Sequence, residues 1–139
     1  MPTEGQRGQV RDLSKIVKAY DIRGVVPDEL DEETVRAVGA AFAVFTKAPK
    51  IVVAHDMRES SAPFARAFAA GATGQGTDVV IAGLASTDLL YFAAGRLDIP
   101  GAMFTASHNP AKYNGIKLCL AGAKPVGQET GLFAIRDLA

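Results

Sequence analysis

Ile51-Val52-Val53-Ala54 is apolar at every position. A run without alternation suits a strand covered on both faces, as in a parallel sheet. The loop His55-Asp56-Met57-Arg58-Glu59-Ser60-Ser61 follows, with Ser60 or Ser61 placed to cap a helix over 62–75. Phe64, Ala67, Phe68 and Gly71 form that helix's inner face, and it stops near Gly74 and Gly76. Asp78-Val79-Val80-Ile81-Ala82 reads as the next buried strand, and Gly83 turns the chain. Ser86 or Thr87 then caps a helix over 88–97, with Leu89, Phe92 and Ala93 facing inward. A further strand over 99–104 completes two successive strand–helix–strand units.

Working outward from these units extends the pattern in both directions. On the N-terminal side, 31–46 is the clearest helix: Asp31 can cap it, and Glu32 and Glu33 suit the positive end of its dipole. Val35, Val38, Phe42 and Phe45 recur at helical spacing. Before it, 16–24 reads as a strand, with Ile16, Tyr20 and Ile22 on one side and Val17, Ala19, Asp21 and Arg23 on the other. Residues 1–14 are polar and Gly-rich, a disordered lead-in. On the C-terminal side, 116–120 is a strand in which Ile116, Leu118 and Leu120 point one way and Lys117 and Cys119 the other. A loop over 122–128 and a helical pattern over 129–139 follow. Alternation of strands with helices of ten or more residues predicts a three-layer α/β/α domain with a mixed, mostly parallel sheet. Leu132, Phe133, Ile135 and Leu138 are apolar and no cap follows them, so more protein is expected beyond Ala139.

At 139 residues, 48% hydrophobic and 22% charged, the chain has the composition of one soluble domain with a core. Fifteen basic residues balance 15 acidic ones. No global charge or ring-interleaved basic run favours nucleic acid or an acidic membrane. The N-terminus carries no apolar signal core, no run is long enough to span a bilayer, and the one cysteine, Cys119, has no partner for a disulfide. Cys119 sits in an apolar strand, where a buried structural thiol is expected. A cytoplasmic protein is the expectation.

Thr105-Ala106-Ser107-His108-Asn109-Pro110 holds the richest chemistry, at the end of an apolar strand. Pro110 fixes its own φ and stiffens the turn. A serine hydrolase is disfavoured: adjacent Ser107 and His108 point apart in extended backbone, and no Gly-x-Ser-x-Gly elbow is present. No Walker loop, Gly-x-Gly-x-x-Gly fingerprint or metal-ligand spacing occurs. Phosphoryl transfer through Ser107 is more coherent. A phosphoserine carries nearly two negative charges and needs cations and fixed donors nearby. Arg23, His108 and Lys117 can supply them if the strands converge. On the residues alone, a surface ion pair between Asp21 and Arg23 and a solvent-facing Lys117 remain equally simple readings, and Asp56 and Arg58 more naturally brace their loop than perform chemistry. His55, at a strand end, reads as a hydrogen-bonded structural residue.

Thr105-Ala106-Ser107-His108-Asn109-Pro110 followed by Tyr113-Asn114-Gly115-Ile116-Lys117 resembles the phosphoserine loop of the α-D-phosphohexomutase family. Lys18-Ala19-Tyr20-Asp21-Ile22-Arg23-Gly24 is similar to the N-terminal motif of its phosphomannomutase/phosphoglucomutase branch, and Asp56-x-Arg58-x-Ser60-Ser61 to the loop after its second strand. The resemblance implies the first of four domains over 15–139, with domains II–IV absent from this chain. It implies that phosphorylated Ser107 exchanges a phosphoryl group with mannose or glucose 1- and 6-phosphates through a hexose 1,6-bisphosphate. Arg23, Lys117 and His108 would be catalytic. Tyr20, Ser107, His108, Asn109 and Lys117 would bind substrate, and a phosphoryl oxygen on Ser107 would coordinate Mg²⁺. The family's remaining metal ligands and its sugar-binding loops have no counterpart in this sequence, so the isolated chain is expected to be inactive. A non-catalytic module that binds sugar phosphates or a partner is the alternative.

Overall fold

The computed structural model describes residues 13–18, 20–106, 109–110, 112–127 and 130–139. Its strands are β1 (Ile22–Val25), β2 (Lys50–His55), β3 (Asp78–Leu84), β4 (Gly101–Phe104), β5 (Tyr113–Leu120) and β6 (Lys124–Pro125). Its helices are α1 (Glu32–Thr46), α2 (Ser61–Gly74), α3 (Thr87–Leu97) and α4 (Leu132–Leu138). They form one mixed sheet of order β1-β5-β4-β2-β3, with β6 also paired to β5. β2 pairs in parallel with both β3 and β4. Every antiparallel ladder involves β5, which runs against β1, β4 and β6. The expected α/β/α domain is thus present, with one reversed strand.

Period-2 alternation sorts the strand residues into two layers. Ile51, Val53, Ala102, Phe104, Ile116 and Leu118 face a core built with α1, α2 and α4. Val52, Ala54, Met103 and Cys119 face the other side, where Leu90 and Ala94 of α3 cover them. Phe42, Phe68 and Phe104 link α1, α2 and β4 through ring centroids 6.0 and 5.5 Å apart. Asp31 caps α1 by accepting from the Thr34 amide at 2.7 Å. Ser86 caps α3 in the same way, accepting from Leu89 at 3.1 Å.

Five expectations change. Residues 16–24 are not one strand: the chain doubles back, with Val17 bridged to Ile22 and the Arg23 amide donating to the Ile16 carbonyl. Ile16 and Val17 are consequently both buried, while Tyr20 at the turn is 82% exposed. β3 is the sheet edge rather than a buried strand, and Ile81 is 55% exposed. In α3 the inward face is Leu90 and Ala94; Leu89 and Phe92 point outward, Phe92 being 65% exposed. Ser60 precedes α2 but its side chain does not cap it. The loop over 122–128 contains the short strand β6, which extends β5's ladder. Of the expected lead-in, residues 1–12 lie outside the described residues, and Leu13 is buried in the core. Among the described residues no helix is long and apolar enough to cross a membrane.

α1 and α2 approach closely because each presents a glycine to the other's backbone. A Cβ on Gly39 would lie 2.2 Å from the Phe68 carbonyl oxygen, and one on Gly71 would lie 2.0 Å from that of Arg36. Neither neighbour is a side chain that can swing away. Gly74, one turn further along α2, has open space around its Cβ position. Gly71→Ala is therefore expected to destabilise the domain by about 1–3 kcal/mol through overpacking. Gly74→Ala should be neutral or stabilising by up to ~1 kcal/mol. Thermal denaturation of the two variants side by side checks the contrast; equal midpoints would refute the close-approach account.

Candidate active site

The strand order reverses between β2 and β4. From β2 the chain leaves through α2 toward β3, whereas from β4 it turns to β5 on the opposite side. Such a switch point opens a crevice beyond the carboxyl ends of the two strands. His55 and Phe104 are register partners there. The loops that leave them carry Asp56 to Ser61 and Thr105 to Pro110. β1 brings a third motif to the same end, because Arg23 pairs with Gly115 and Gly24 with Asn114 at the start of β5.

Arg23 and Asn109, separated by 86 residues, meet in the crevice. Nη1 of Arg23 donates to Oδ1 of Asn109 and Nη2 donates to Oδ2 of Asp21, both at 2.5 Å. Asp21 is itself buried. Nε of Arg23 is buried and has no partner among the described residues, so one donor of the planar fork remains uncommitted. Lys117 is half-buried opposite Met103. Continuing the β1–β5 register by one residue places Asp21 across from Lys117, on the sheet face that α3 covers. Tyr20 stands exposed beside this cluster. Ser107 and His108 lie outside the described residues; the amide of Asn109 donates to the carbonyl of Ala106, and both Thr105 and Ala106 are buried. Of the six expected site residues, the structure thus joins Arg23 to Asn109 directly and brings Lys117 to the adjoining strand.

The loop over 56–61 is bound to the loop that ends at Pro110. Within its own loop, Arg58 donates from its amide to Oδ1 of Asp56 at 3.0 Å and from Nε to Oδ2 at 3.3 Å. Beyond it, Nη2 donates to the carbonyl of Asn109 at 2.8 Å, and Nη1 to those of Pro110 at 2.9 Å and Tyr113 at 3.2 Å. Ser61 donates to Asp56 Oδ1 and accepts from Asn114 Nδ2, which also donates to Ser60 Oγ at 2.7 Å. Asn114 Oδ1 accepts the Gly115 amide at 2.8 Å, so this fully buried amide is satisfied at both ends. Nδ1 of His55 donates to the Asp56 carbonyl at 2.9 Å, a structural bond. Burial alone would raise the Asp56 carboxyl. The Ser61 hydroxyl, the Arg58 amide, Thr105 and the Arg58 charge outweigh burial and hold it below its ordinary value of 3.8.

Sequence reading limits Asp56 and Arg58 to their own loop and gives no role to Asn114 with Ser60 and Ser61. The signals for Arg58 were its place in the loop after a buried strand and the Asp56-x-Arg58-x-Ser60-Ser61 pattern. The register that supplies its distant partners is not written locally. Among the described residues no three His, Cys, Asp or Glu side chains converge as a metal site. Asp56 is engaged by Arg58 and Ser61, and Asp21 by Arg23. These residues do not by themselves fit Mg²⁺.

An α/β domain with polar loops gathered at a switch point is a fold and site suited to anionic small molecules. Residues 14–138 match the family described as phosphoglucomutase/phosphomannomutase, alpha/beta/alpha domain I. A protein from Xanthomonas campestris pv. campestris, named phosphohexose mutases, is 46% identical over 121 residues, covering 86% of this chain and 27% of its own length. A phosphomannomutase sequence from Klebsiella pneumoniae is 46% identical over 123 residues, covering 88% of this chain and 78% of its own. The crystal structure of a phosphoglucomutase/phosphomannomutase family protein from Burkholderia thailandensis superposes with a TM-score of 0.76 at 37% identity, covering 88% of this chain and 30% of that one. This chain belongs to the phosphoglucomutase/phosphomannomutase family, as its α/β/α domain I. It spans about a quarter of the length of the Xanthomonas relative.

Two measurements test the local chemistry. Because the folded Asp56 carboxyl sits below its unfolded value, its stabilising contribution is complete above about pH 4 and is lost as pH falls through the folded value. Asp56→Asn should therefore be less stable than wild type at pH 7, and the gap in melting temperature should close below about pH 4. A gap independent of pH would count against the charge. Burial pushes the Cys119 thiol up to about 11. A thiol reagent at pH 8 should label it only after denaturation; rapid labelling of the native chain would contradict the packing under α3.

Proposed function

We propose that this chain is the phosphoryl-carrying domain of a phosphohexomutase, in which Ser107 alternates between hydroxyl and phosphate. The observation that carries the reading is the Arg23–Asn109 contact, which unites the N-terminal motif with the loop that bears Ser107. The relatives' names, phosphomannomutase and phosphohexose mutases, support hexose phosphates as the substrate class. In the forward direction the Ser107 Oγ–P bond breaks as the sugar's free hydroxyl oxygen bonds to phosphorus; the sugar hydroxyl gives up its proton and Ser107 Oγ gains one, leaving serine as a hydroxyl. The resulting hexose 1,6-bisphosphate then turns over, and its other phosphoryl group returns to Ser107. Mannose or glucose 1-phosphate thereby becomes the 6-phosphate.

The chain's own residues supply charge and orientation. Arg23, braced by Asp21, and Lys117 place positive charge where phosphoryl oxygens gather, the arrangement that transfer of a dianion needs. His108 and Asn109 flank the phosphate, and Tyr20, exposed at its turn, reaches the sugar side. Mg²⁺ would neutralise the transferring group when bound, with its ligands beyond the phosphoryl oxygen of Ser107 coming from outside this chain. Substrate selection and closure around the sugar likewise belong to domains II–IV, and the protein works in the cytoplasm. Residues 15–139 are the carrier domain, with Leu13 of the preceding segment packed into its core.

Intact mass and peptide mapping, before and after exposure to a hexose 1,6-bisphosphate with Mg²⁺, test the carrier role. One phosphate on Ser107, absent from Ser107→Ala, is expected, together with no mutase turnover by residues 1–139. Absence of phosphate both from this chain and from a longer protein containing it would leave a sugar-phosphate or partner-binding module instead. Full turnover by the 139-residue chain would overturn the division of labour.

A further inference from the structure

Asn109 is gripped from two sides. Its side-chain oxygen takes a donor from Arg23, and its main-chain oxygen takes one from Arg58 at 2.8 Å. The same Arg58 guanidinium holds the carbonyls of Pro110 and Tyr113, while its Nε and its own amide are tied to the Asp56 carboxylate. That carboxylate is fixed in turn by Ser61 on α2, and Asp56's amide donates to the Phe104 carbonyl at 3.0 Å. The strut therefore has a rigid footing on β4 and α2, and its head clamps the exit of the 105–110 loop. We propose that Arg58 is the positioning residue of the phosphoserine loop, setting the place of Asn109 and, through Asn109, the aim of the Arg23 guanidinium.

This inference rests on the carrier reading for its chemical consequence, but not for its structural one. Three carbonyls held by one planar fork cannot be matched by a lysine, whose single ammonium has no fixed geometry. Hydrogen bonds to a charged donor are the stronger kind, and a phosphoryl transfer loses about a hundredfold in rate when the reacting groups are displaced by about 1 Å. Among the described residues, the Arg58 guanidinium reaches this loop through the carbonyls of Asn109, Pro110 and Tyr113. It acts through the backbone of residues 109–113.

The test uses the 139-residue chain as wild type, Arg58→Lys and Arg58→Ala, the last with and without added ethylguanidinium. Amide hydrogen exchange of peptides spanning 105–113 should quicken about tenfold or more in Arg58→Lys, while α1 and α2 exchange as in wild type. Phosphate uptake at Ser107 from hexose 1,6-bisphosphate should slow by about ten- to a hundredfold, and ethylguanidinium should restore part of it to Arg58→Ala. Unchanged loop exchange in both variants overturns the proposal. So does loosening spread over every helix, which marks a general stability role. A loosened loop with uptake at the wild-type rate also overturns it. Should the wild-type chain take up no phosphate, the carrier reading is decided by a longer protein containing it, and localised loosening or its absence still decides whether Arg58 holds the loop.

Discussion

Strand β5 has no room for a side chain where its neighbours crowd it most. At Gly115 a Cβ would lie 2.4 Å from the Ile22 carbonyl oxygen and 3.0 Å from that of Thr105. The first belongs to the edge of β1 and the second to the residue that follows β4. The glycine therefore allows one reversed strand to touch both sides at once, with Thr105's amide donating to the Gly115 carbonyl at 3.0 Å. Everything at the site depends on that narrow approach. Without it β1 would stand off, and Arg23 could not reach a residue 86 positions away.

Reversal of β5 has a second consequence. A chain that continued in parallel would need a crossover helix, and the residues after β4 would leave the carboxyl end of the sheet. Turning directly into an antiparallel strand keeps Tyr113, Asn114 and Gly115 at that end instead. Asn114 can then be buried among Ser60, Ser61 and the Gly115 amide. A buried amide is costly unless paired, and a satisfied network fixes its members in a single arrangement. Here it ties the start of α2 to the start of β5, directly beneath the loop.

How much of this was legible depended on whether the signal was local. α1 was readable because Asp31, two acidic residues and an apolar stripe all lie within one window, and β2 because it has no polar position. The alternation of Ile116, Lys117, Leu118 and Cys119 also reads directly. The inward face of α3 did not, since Leu89, Leu90 and Phe92 are equally apolar and only the position of the helix over β2 and β4 decides among them. β3 looks buried by composition because strand order, which makes it an edge, is absent from its own residues. The turn that separates Val17 from Ile22 was hidden for the same reason: its closure depends on β1 pairing with β5, 94 residues later at Ile116. At the site, residue types on their own left Arg23 and Lys117 open to simpler readings, and only the family resemblance gave them and Asn109 roles. The reach of Arg58 was not visible, because its partners are backbone carbonyls, which every residue carries.

Backbone carbonyls as partners give a reason for the way the loop is held. In the proposed carrier role the loop would hold a hydroxyl in one state and a dianionic phosphate in the next, and could not rely on packing or charge pairs tuned to either state. Main-chain carbonyls at 109, 110 and 113 would not change as phosphate comes and goes, so the part of Arg58's grip that rests on them would hold equally in both states. Arg58 is also neutralised locally by Asp56. It adds little net field to compete with Arg23 for the phosphate. Division between an arginine that holds backbone and another with a buried donor unpartnered among the described residues would separate holding the loop from answering its charge. The two tasks conflict if a single residue performs both, since a guanidinium that follows the phosphate must release what it was holding.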